Sequence, residues 1–136
     1  MSHFTKIDKA SIVDSSAFIE ACRELGFISV RENVEIKDYY GKMMRVDVAI
    51  SCGGRYDIAL VKNSNGTFDM VGDWWGIRGS GLPEKLKNIR TDEDLQNMLL
   101  KHTTARTIVN RYKRQGFRAS IREDENEDLQ IELVRR

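Results

Sequence analysis

Three aspartates and a tryptophan pair are the residues of this chain whose types and spacing are best suited to chemistry. Asp47 and Asp57 lie in alternating apolar segments, and Asp73 directly precedes Trp74 and Trp75 in a run bracketed by glycines. Clustered carboxylates bind hard divalent cations, so Asp47, Asp57 and Asp73 could supply a metal site. Two carboxylates held together could instead act as a general acid and base, because repulsion raises the pKa of one of them.

Neither chemical interpretation is accompanied by a recognised motif. The sequence contains no calcium-binding loop, no glycine-rich nucleotide loop and no nucleophile triad. Neutralisation by a nearby arginine or lysine is the more common fate of surface carboxylates. We therefore interpret Asp57, Asp73, Trp75 and Tyr40 as an acidic and aromatic surface for a ligand or partner, and we assign no catalytic residue and no cofactor beyond the candidate divalent cation.

The elements that must position these residues are three predicted strands, at residues 44–51, 56–62 and 68–74, in an antiparallel meander. A three-residue loop in each hairpin aligns their aliphatic side chains, whereas a two-residue loop would mix polar and apolar sets. The expected cross-strand pairs are Ile50 with Ile58, Val48 with Leu60, Leu60 with Met70, and Tyr56 with Trp74. The residues expected on the core face are Val46, Val48, Ile50, Tyr56, Ile58, Leu60, Phe68, Met70 and Trp74.

The same register determines what lies on the opposite face. It places Asp57 directly across from Asp73, with Asp47 and Asp69 on the same surface. Opposed like charges destabilise a sheet, so a further interaction that offsets this cost is expected there. If the strand continues through both tryptophans, Trp74 enters the core and Trp75 stands on the acidic face.

The remaining segments predict an α+β fold. An extended segment precedes a helix over about residues 15–25, a second strand begins at Phe27, and its pattern dissolves near residues 33–38. Thr91 begins the longest helix, which runs to Gly116 and carries His102 on its apolar stripe. A hairpin with an acidic turn closes the chain. We expect a largely antiparallel sheet with two main helices on one face.

The densest positive charge lies late in the chain. Part of it complements the dipole at the end of the long helix, and another part can pair with the acidic turn. If neither the helix dipole nor the acidic turn neutralises this charge, the patch could bind phosphates or an acidic protein. The members of this basic patch are Arg106, Arg111, Lys113, Arg114, Arg118 and Arg122.

Composition bounds the alternatives. The 136 residues predict one domain, 1–136, and 22 basic against 21 acidic residues give a net charge of +1, which provides no global attraction to nucleic acid or membrane. Cys22 and Cys52 have no metal or disulfide spacing, and Cys22 is expected to be a buried apolar residue. No apolar run approaches the roughly 18 residues that cross a bilayer. We expect a cytoplasmic protein, or a stromal one in a plastid.

Several short motifs recur together in one known family. They are the opening Met1 to Phe4, the turn Tyr39-Tyr40-Gly41, the strand Asp47 to Ile50, the run Tyr56 to Ile58, and Asp73 to Gly76. In these motifs the chain resembles the uncharacterised open-reading-frame family thirty-five of plastids and cyanobacteria, which has relatives in other bacteria and phages. The resemblance covers most of the chain and implies a domain of unknown function with no established activity, cofactor or catalytic residue.

Three hypotheses follow for function. The leading one is a non-enzymatic binding or adaptor module whose partner is another protein. The second is a small metal-assisted or phosphate-handling enzyme that uses the carboxylates. The third is a nucleic-acid-binding protein that uses the basic patch, and exposed sheet edges also allow a dimer.

Overall fold

The protein is described by a computed structural model for residues 5–38, 40–51, 56–79, 81–126 and 128–135. Within this part the fold is α+β, as predicted. The strands are β1 (Thr5–Ile12), β2 (Ser29–Lys37), β3 (Met43–Ser51), β4 (Ile58–Lys62), β5 (Phe68–Gly72), β6 (Phe117–Glu123) and β7 (Leu129–Arg135). The helices are α1 (Ser15–Leu25), α2 (Trp74–Gly79) and α3 (Asp92–Arg114), with a 3-10 turn at Glu84–Leu86.

Strands β1 to β5 form one antiparallel sheet in the order β1-β5-β4-β3-β2. The predicted meander β3-β4-β5 is confirmed, and so is its register. Ile50 lies opposite Ile58, and Leu60 lies between Val48 and Met70. The alternation of aliphatic side chains was therefore sufficient to fix which residues face each other.

The connection between β4 and β5 has the predicted three-residue length. The backbone N–H of Asn63 donates to the carbonyl of Thr67 at 2.7 Å, which closes a loop of residues 64–66. Gly66 in this loop has a φ of 88°, a conformation that glycine adopts without steric cost. The matching prediction for the β3–β4 loop falls on residues 52–55 and lies outside the described ones.

One face of the five-stranded sheet forms the main core with α1 and α3. Phe18 and Cys22 of α1 and Leu95 and Leu99 of α3 are fully buried against the aliphatic residues of the meander. Burial raises the pKa of the Cys22 thiol well above its usual range, so this cysteine is a buried apolar residue, as predicted. Two main helices therefore cover one face of the sheet.

The second face carries a smaller core, which corrects the predicted place of Val46. Ala49, Ala59 and Val71 lie opposite one another across β3, β4 and β5, and all three are fully buried. The far part of the β2–β3 hairpin packs on this row through Ile36 and Val46. The predicted place of Val46 in the main core is therefore wrong, because small side chains leave room for the hairpin to bend over the second face.

Two local features lie where the hairpin bends. Asn33 has a φ of 52°, the left-handed conformation that asparagine adopts more readily than most residues. The carboxylate of Asp47 accepts a hydrogen bond from the backbone N–H of Lys62 at 2.7 Å, where the β3–β4 ladder ends. Strand β2 then continues to Lys37, beyond the point where its sequence pattern dissolves.

Helix α3 has the predicted cap. The side chain of Thr91 accepts a hydrogen bond from the backbone N–H of Asp94 at 3.0 Å. Acidic residues occupy the first turn of the helix and basic residues the last, which favours both ends through the helix dipole. None of the described helices is long and apolar enough to span a membrane.

The C-terminal hairpin is confirmed and forms a two-stranded sheet of its own, β6-β7. It packs on α3, chiefly through β6. At its base the ring of Phe117 meets Tyr112 of α3 edge to face, with 5.4 Å between centroids, and the guanidinium of Arg135 lies 5.7 Å from the Phe117 centroid. These contacts anchor the open end of the hairpin to the last turn of α3.

Candidate functional site

The run from Gly72 to Gly76 is a strand-to-helix turn rather than a continued strand. Strand β5 ends at Gly72 and α2 begins at Trp74. The carboxylate of Asp73 accepts a hydrogen bond from the backbone N–H of Gly76 at 3.1 Å, and its carbonyl accepts one from Ile77 at 2.8 Å. The prediction that the strand continues through Trp74 is therefore wrong. The carboxylate of Asp73 accepts from a backbone N–H of the first helical turn, and such a cap favours the start of a helix at this point.

The helix, rather than a strand, sends Trp74 into the core and leaves Trp75 exposed, as was predicted for the two side chains. Trp74 is buried in the main core, and Trp75 is 50% exposed. Successive helical residues differ by about 100° in direction, so one of two neighbours can face inward while the other faces out. The outcome predicted for a strand thus arises from a different local geometry.

The bracketing glycines are explained by close packing. A Cβ at Gly76 would lie 2.8 Å from Cδ2 of the Tyr56 ring and 3.0 Å from two further ring atoms. A Cβ at Gly72 would lie 2.8 Å from Cδ1 of Ile77 and 3.3 Å from the ring of Trp74. Both glycines therefore allow aromatic and aliphatic side chains to rest directly on the backbone of the turn.

The predicted cross-strand pairs of Asp57 with Asp73 and of Tyr56 with Trp74 do not form. The β4–β5 ladder ends at the pair of Ile58 and Gly72, and beyond it the chain turns into α2. Asp73 is only 1% exposed and caps that helix. Asp57, in contrast, forms an ion pair with Arg31 of β2.

The three aspartates predicted as metal ligands have separate structural roles. The carboxylate of Asp47 accepts from the Lys62 backbone, that of Asp57 pairs with Arg31, and that of Asp73 caps α2. Across the described ranges, no group of three or more His, Cys, Asp or Glu residues is placed to hold a metal ion. The geometry therefore does not bring Asp47, Asp57 and Asp73 together.

The ion pair of Arg31 and Asp57 lies in a shallow cleft of about 360 Å³ at one end of the sheet. The side chain of Asp57 is 12% exposed and that of Arg31 is 44% exposed. Ser29 and Ser51 line the same cleft, and Met43 reaches it from the bent β2–β3 hairpin. The bend thus brings a residue from near the hairpin tip to the end of the sheet where β4 begins.

Large apolar side chains are exposed around this end of the sheet. Ile28, which precedes Ser29, is 78% exposed, Met43 is 53% exposed, and Trp75 follows the end of β5. We define the end surface as Ile28, Arg31, Met43, Asp57 and Trp75. It retains Asp57 and Trp75 from the predicted acidic and aromatic surface, and replaces Asp73, which is buried.

Tyr40 is positioned by a tight turn near the tip of the β2–β3 hairpin. The carboxylate of Asp38 accepts hydrogen bonds from the backbone N–H groups of Tyr40 at 3.0 Å and Lys42 at 2.9 Å. Asp38 is itself buried, whereas Tyr40 is 60% exposed. Tyr40 is therefore an exposed aromatic residue whose backbone is held by Asp38, three positions before Met43 of the end surface.

The basic patch divides into members that form ion pairs and members that do not. Arg106 is 15% exposed and lies between Glu20 and Glu24 of α1, while Arg122 forms an ion pair with Glu132 at 3.1 Å. The four other members are exposed, and none forms an ion pair with a described residue. These four are Arg111, Lys113, Arg114 and Arg118.

A cleft that the sequence did not predict lies between α1, α3 and the C-terminal hairpin. It has a volume of about 530 Å³ and brings Glu24, Lys85, His102, Arg106 and Glu123 to one place. Burial lowers the pKa of His102, against the opposing effect of Glu123. The helical stripe identified His102 as partly buried, but its neighbours come from distant parts of the chain.

Two polar contacts secure the walls of this cleft. The ammonium of Lys85 donates to the carbonyl of Glu24 at 2.9 Å, at the C-terminal end of α1. Asn110 of α3 donates to a carboxylate oxygen of Glu20 at 3.3 Å. The Nε of Arg106 is buried without a hydrogen-bond partner and lies 3.7 Å from the Glu20 carboxylate. The cleft is therefore a charge-balanced junction between the helices.

A family model described as a protein of unknown function, DUF1257, matches residues 21–134. This confirms the expected resemblance to an uncharacterised domain family. Neither the curated proteins nor the solved structures contain a match to the chain.

Proposed function

Since the chain belongs to the DUF1257 family of proteins of unknown function, we propose from its own geometry that it is a non-enzymatic module that binds another protein. The surface proposed for this binding is the end surface. The partner is a protein that presents an apolar side chain beside a hydrogen-bond acceptor.

The observation that carries this proposal is the exposure of Ile28, Met43 and Trp75 at the end of the sheet that holds a partly buried ion pair. Soluble proteins usually expose large apolar side chains singly, and groups of them mark interaction sites. Tryptophan, methionine and arginine are also the residue types enriched in the centres of protein interfaces. The composition of the end surface therefore fits a protein partner.

The ion pair supplies the polar part of the recognition. A guanidinium has five N–H donors, and the carboxylate of Asp57 can use at most some of those of Arg31. The donors that face solvent are free to meet a carbonyl or carboxylate of the partner. Asp57 fixes the orientation of the arginine, so little side-chain entropy is lost when that contact forms.

Affinity capture from the native host tests this proposal. Immobilised wild-type protein is compared with Trp75→Ser, Ile28→Ser and the control Val13→Ser. Val13 is 58% exposed but follows Ile12, which pairs with Phe68 at the opposite end of the sheet. We expect the control to retain the partner, whereas each end-surface variant weakens binding by roughly 30-fold, which corresponds to about 2 kcal/mol.

The outcome that contradicts the proposal is a partner whose affinity is the same for all four proteins. Substitutions at exposed positions usually change stability by less than about 0.5 kcal/mol, so misfolding is not expected to obscure the comparison. Calorimetric titration with magnesium, manganese and calcium distinguishes the enzyme alternative. Saturable heat that disappears in Asp73→Asn would favour a metal-assisted enzyme instead.

A further inference from the structure

Strand β7 is an open sheet edge that carries apolar residues. In the described part of the chain it pairs only with β6, and a hairpin of two strands is marginally stable alone. Its residues Leu129, Ile131 and Leu133 share the face that α3 covers incompletely, and Leu133 is 40% exposed. Exposed edges of this kind are templates for pairing with another strand.

The hydrogen-bond pattern of the hairpin identifies which backbone groups face the open edge. The N–H of Asp124 donates to the carbonyl of Asp128 at 2.9 Å, so these two residues form a hydrogen-bonded pair. Such pairs recur at every second residue of an antiparallel ladder, and the ladder has no register shift. The N–H and C=O groups of Leu129, Ile131 and Leu133 therefore point away from β6.

We propose that β7 pairs antiparallel with β7 of a second copy of this chain, with the two-fold axis at Ile131. In this register Ile131 lies opposite its own symmetry mate, and Leu129 lies opposite Leu133 of the other copy. The N–H and C=O groups of Leu129, Ile131 and Leu133, which point to the open edge, then form hydrogen bonds with the same groups of the second copy. Because Ile121 pairs with Ile131 within each hairpin, four isoleucines form one continuous row across the new four-stranded sheet.

Charge complementarity on the other face favours the same register. Arg122 lies opposite Gln130 within the hairpin, and Gln130 lies opposite Glu132 of the second copy. The resulting row contains a cation, an amide and a carboxylate. In the next row, Val134 pairs with Arg118 within the hairpin and lies opposite Asp128 of the second copy, so no like charges are directly opposed across the junction between the two β7 strands.

The two neighbouring registers place like charges together. Moving the axis to Glu132 sets the two Glu132 carboxylates directly opposite each other. Moving it to Gln130 sets Glu132 against Asp128 twice. Like charges that are directly opposed in a sheet are destabilising, and both shifts also leave one of the three apolar positions without an apolar partner.

A groove beside β7 fits the strand that this pairing adds. It has a volume of about 520 Å³ and lies between Ala105 and Ile108 of α3 and Leu129 and Ile131 of β7. Ile108 is 37% exposed in the single chain. Leucine and isoleucine side chains of the added strand project toward this side of the sheet and would cover it. None of these residues belongs to the end surface.

Cysteine cross-linking tests the register. In a Cys52→Ser background, Ile131→Cys, Gln130→Cys and Glu132→Cys are oxidised under mild conditions. Each cysteine lies opposite itself in only one of the three registers, at a separation that permits a disulfide. We expect the Ile131→Cys protein to form a covalent dimer readily. Faster cross-linking of Gln130→Cys or Glu132→Cys would overturn the proposed register.

Analytical ultracentrifugation tests the dimer itself. Leu133→Pro removes an N–H that points to the open edge and leaves the β6 ladder intact, because proline is tolerated where a strand donates nothing inward. Leu133→Ala is the matched control, which retains the N–H. We expect wild type and Leu133→Ala to sediment as dimers and Leu133→Pro to sediment as a monomer. The circular dichroism spectrum of Leu133→Pro should show that this monomer is folded. A wild-type monomer at the highest soluble concentration, or a dimeric Leu133→Pro protein, would overturn the proposal.

Discussion

Replacement of Gly76 by alanine tests whether the turn after β5 is as closely packed as the contacts indicate. The added Cβ would lie 2.8 to 3.0 Å from three atoms of the Tyr56 ring, closer than carbon atoms approach without displacement. Insertion of a methyl group into a packed site costs about 1–3 kcal/mol, and contact with a rigid ring favours the upper half of that range. Alanine gains at most about 1 kcal/mol from helix propensity. We therefore expect a net loss of about 1–2 kcal/mol.

Gly79→Ala is the matched control for this substitution. Gly79 lies in the same helix, and a Cβ there meets no heavy atom within 4 Å. Its stability is expected to be unchanged or slightly raised. In chemical denaturation the midpoint of Gly76→Ala should fall while that of Gly79→Ala does not, and thermal unfolding should fall by about 3–5 °C per kcal/mol.

A double-mutant cycle separates the steric effect from any other cause. In a Tyr56→Ala background the ring is absent, so Gly76→Ala should lose most of its cost. Equal destabilisation by Gly76→Ala in both backgrounds, or a Gly76→Ala protein as stable as Gly79→Ala, would refute the packing argument. It would also remove the explanation given for the glycine that follows the two tryptophans.

Two further predictions concern charge. Because burial lowers the pKa of His102 in the folded chain, protonation favours the unfolded chain, and the free energy of unfolding should fall as the pH drops below the ordinary value of 6.5. His102→Gln should flatten that part of a pH series, and an unchanged slope would contradict the assignment. If the exposed basic residues bind phosphates, retention on heparin should fall with salt and with charge reversal at Arg111, Arg114 and Arg118. Retention that survives the reversal would exclude the patch as a nucleic-acid site.

The sequence predicted the meander correctly because strand periodicity acts on every residue. A register slip would have moved Ile50, Ile58 and Leu60 to the wrong face together, so one arrangement was strongly favoured. The start of the longest helix was an equally local signal, since Thr91 accepts a hydrogen bond from an N–H group three residues ahead. Features that depend on neighbours in the chain were therefore predictable.

The second face was not predictable in this way. Nothing in the alternation of β3 separates Val46 from Val48, although the two side chains enter different cores. The difference arises from a bend at Asn33 and from small residues on two other strands. Such a contact depends on shape across the sheet rather than on sequence period.

The candidate site was predicted in part for the same reason. Asp57 and Trp75 lie at the predicted end of the sheet, but Asp73 is buried as the cap of α2. The sequence pattern around Asp73 suits a strand residue as well as a helix cap, so the burial could not be predicted. Ile28 and Met43 carry no motif. Only the path of the backbone brings Met43 into the cleft of Arg31 and places Ile28 at the same end of the sheet. Their exposure is a property of the folded surface.

The strand order of the main sheet also bears on how the chain forms during synthesis. Strand β1 is translated well before its partner β5, so the pairing of Thr5 with Gly72 can form only after residue 72 has been translated. Helix α1 depends on a segment that is translated later still. Glu24 can pair with Arg106, and Glu20 with Asn110, only after those residues of α3 have been translated. Such distant pairings slow folding and leave intermediate stages exposed to self-association. The segment that holds β1 and α1 therefore lacks these partners until most of α3 has been translated.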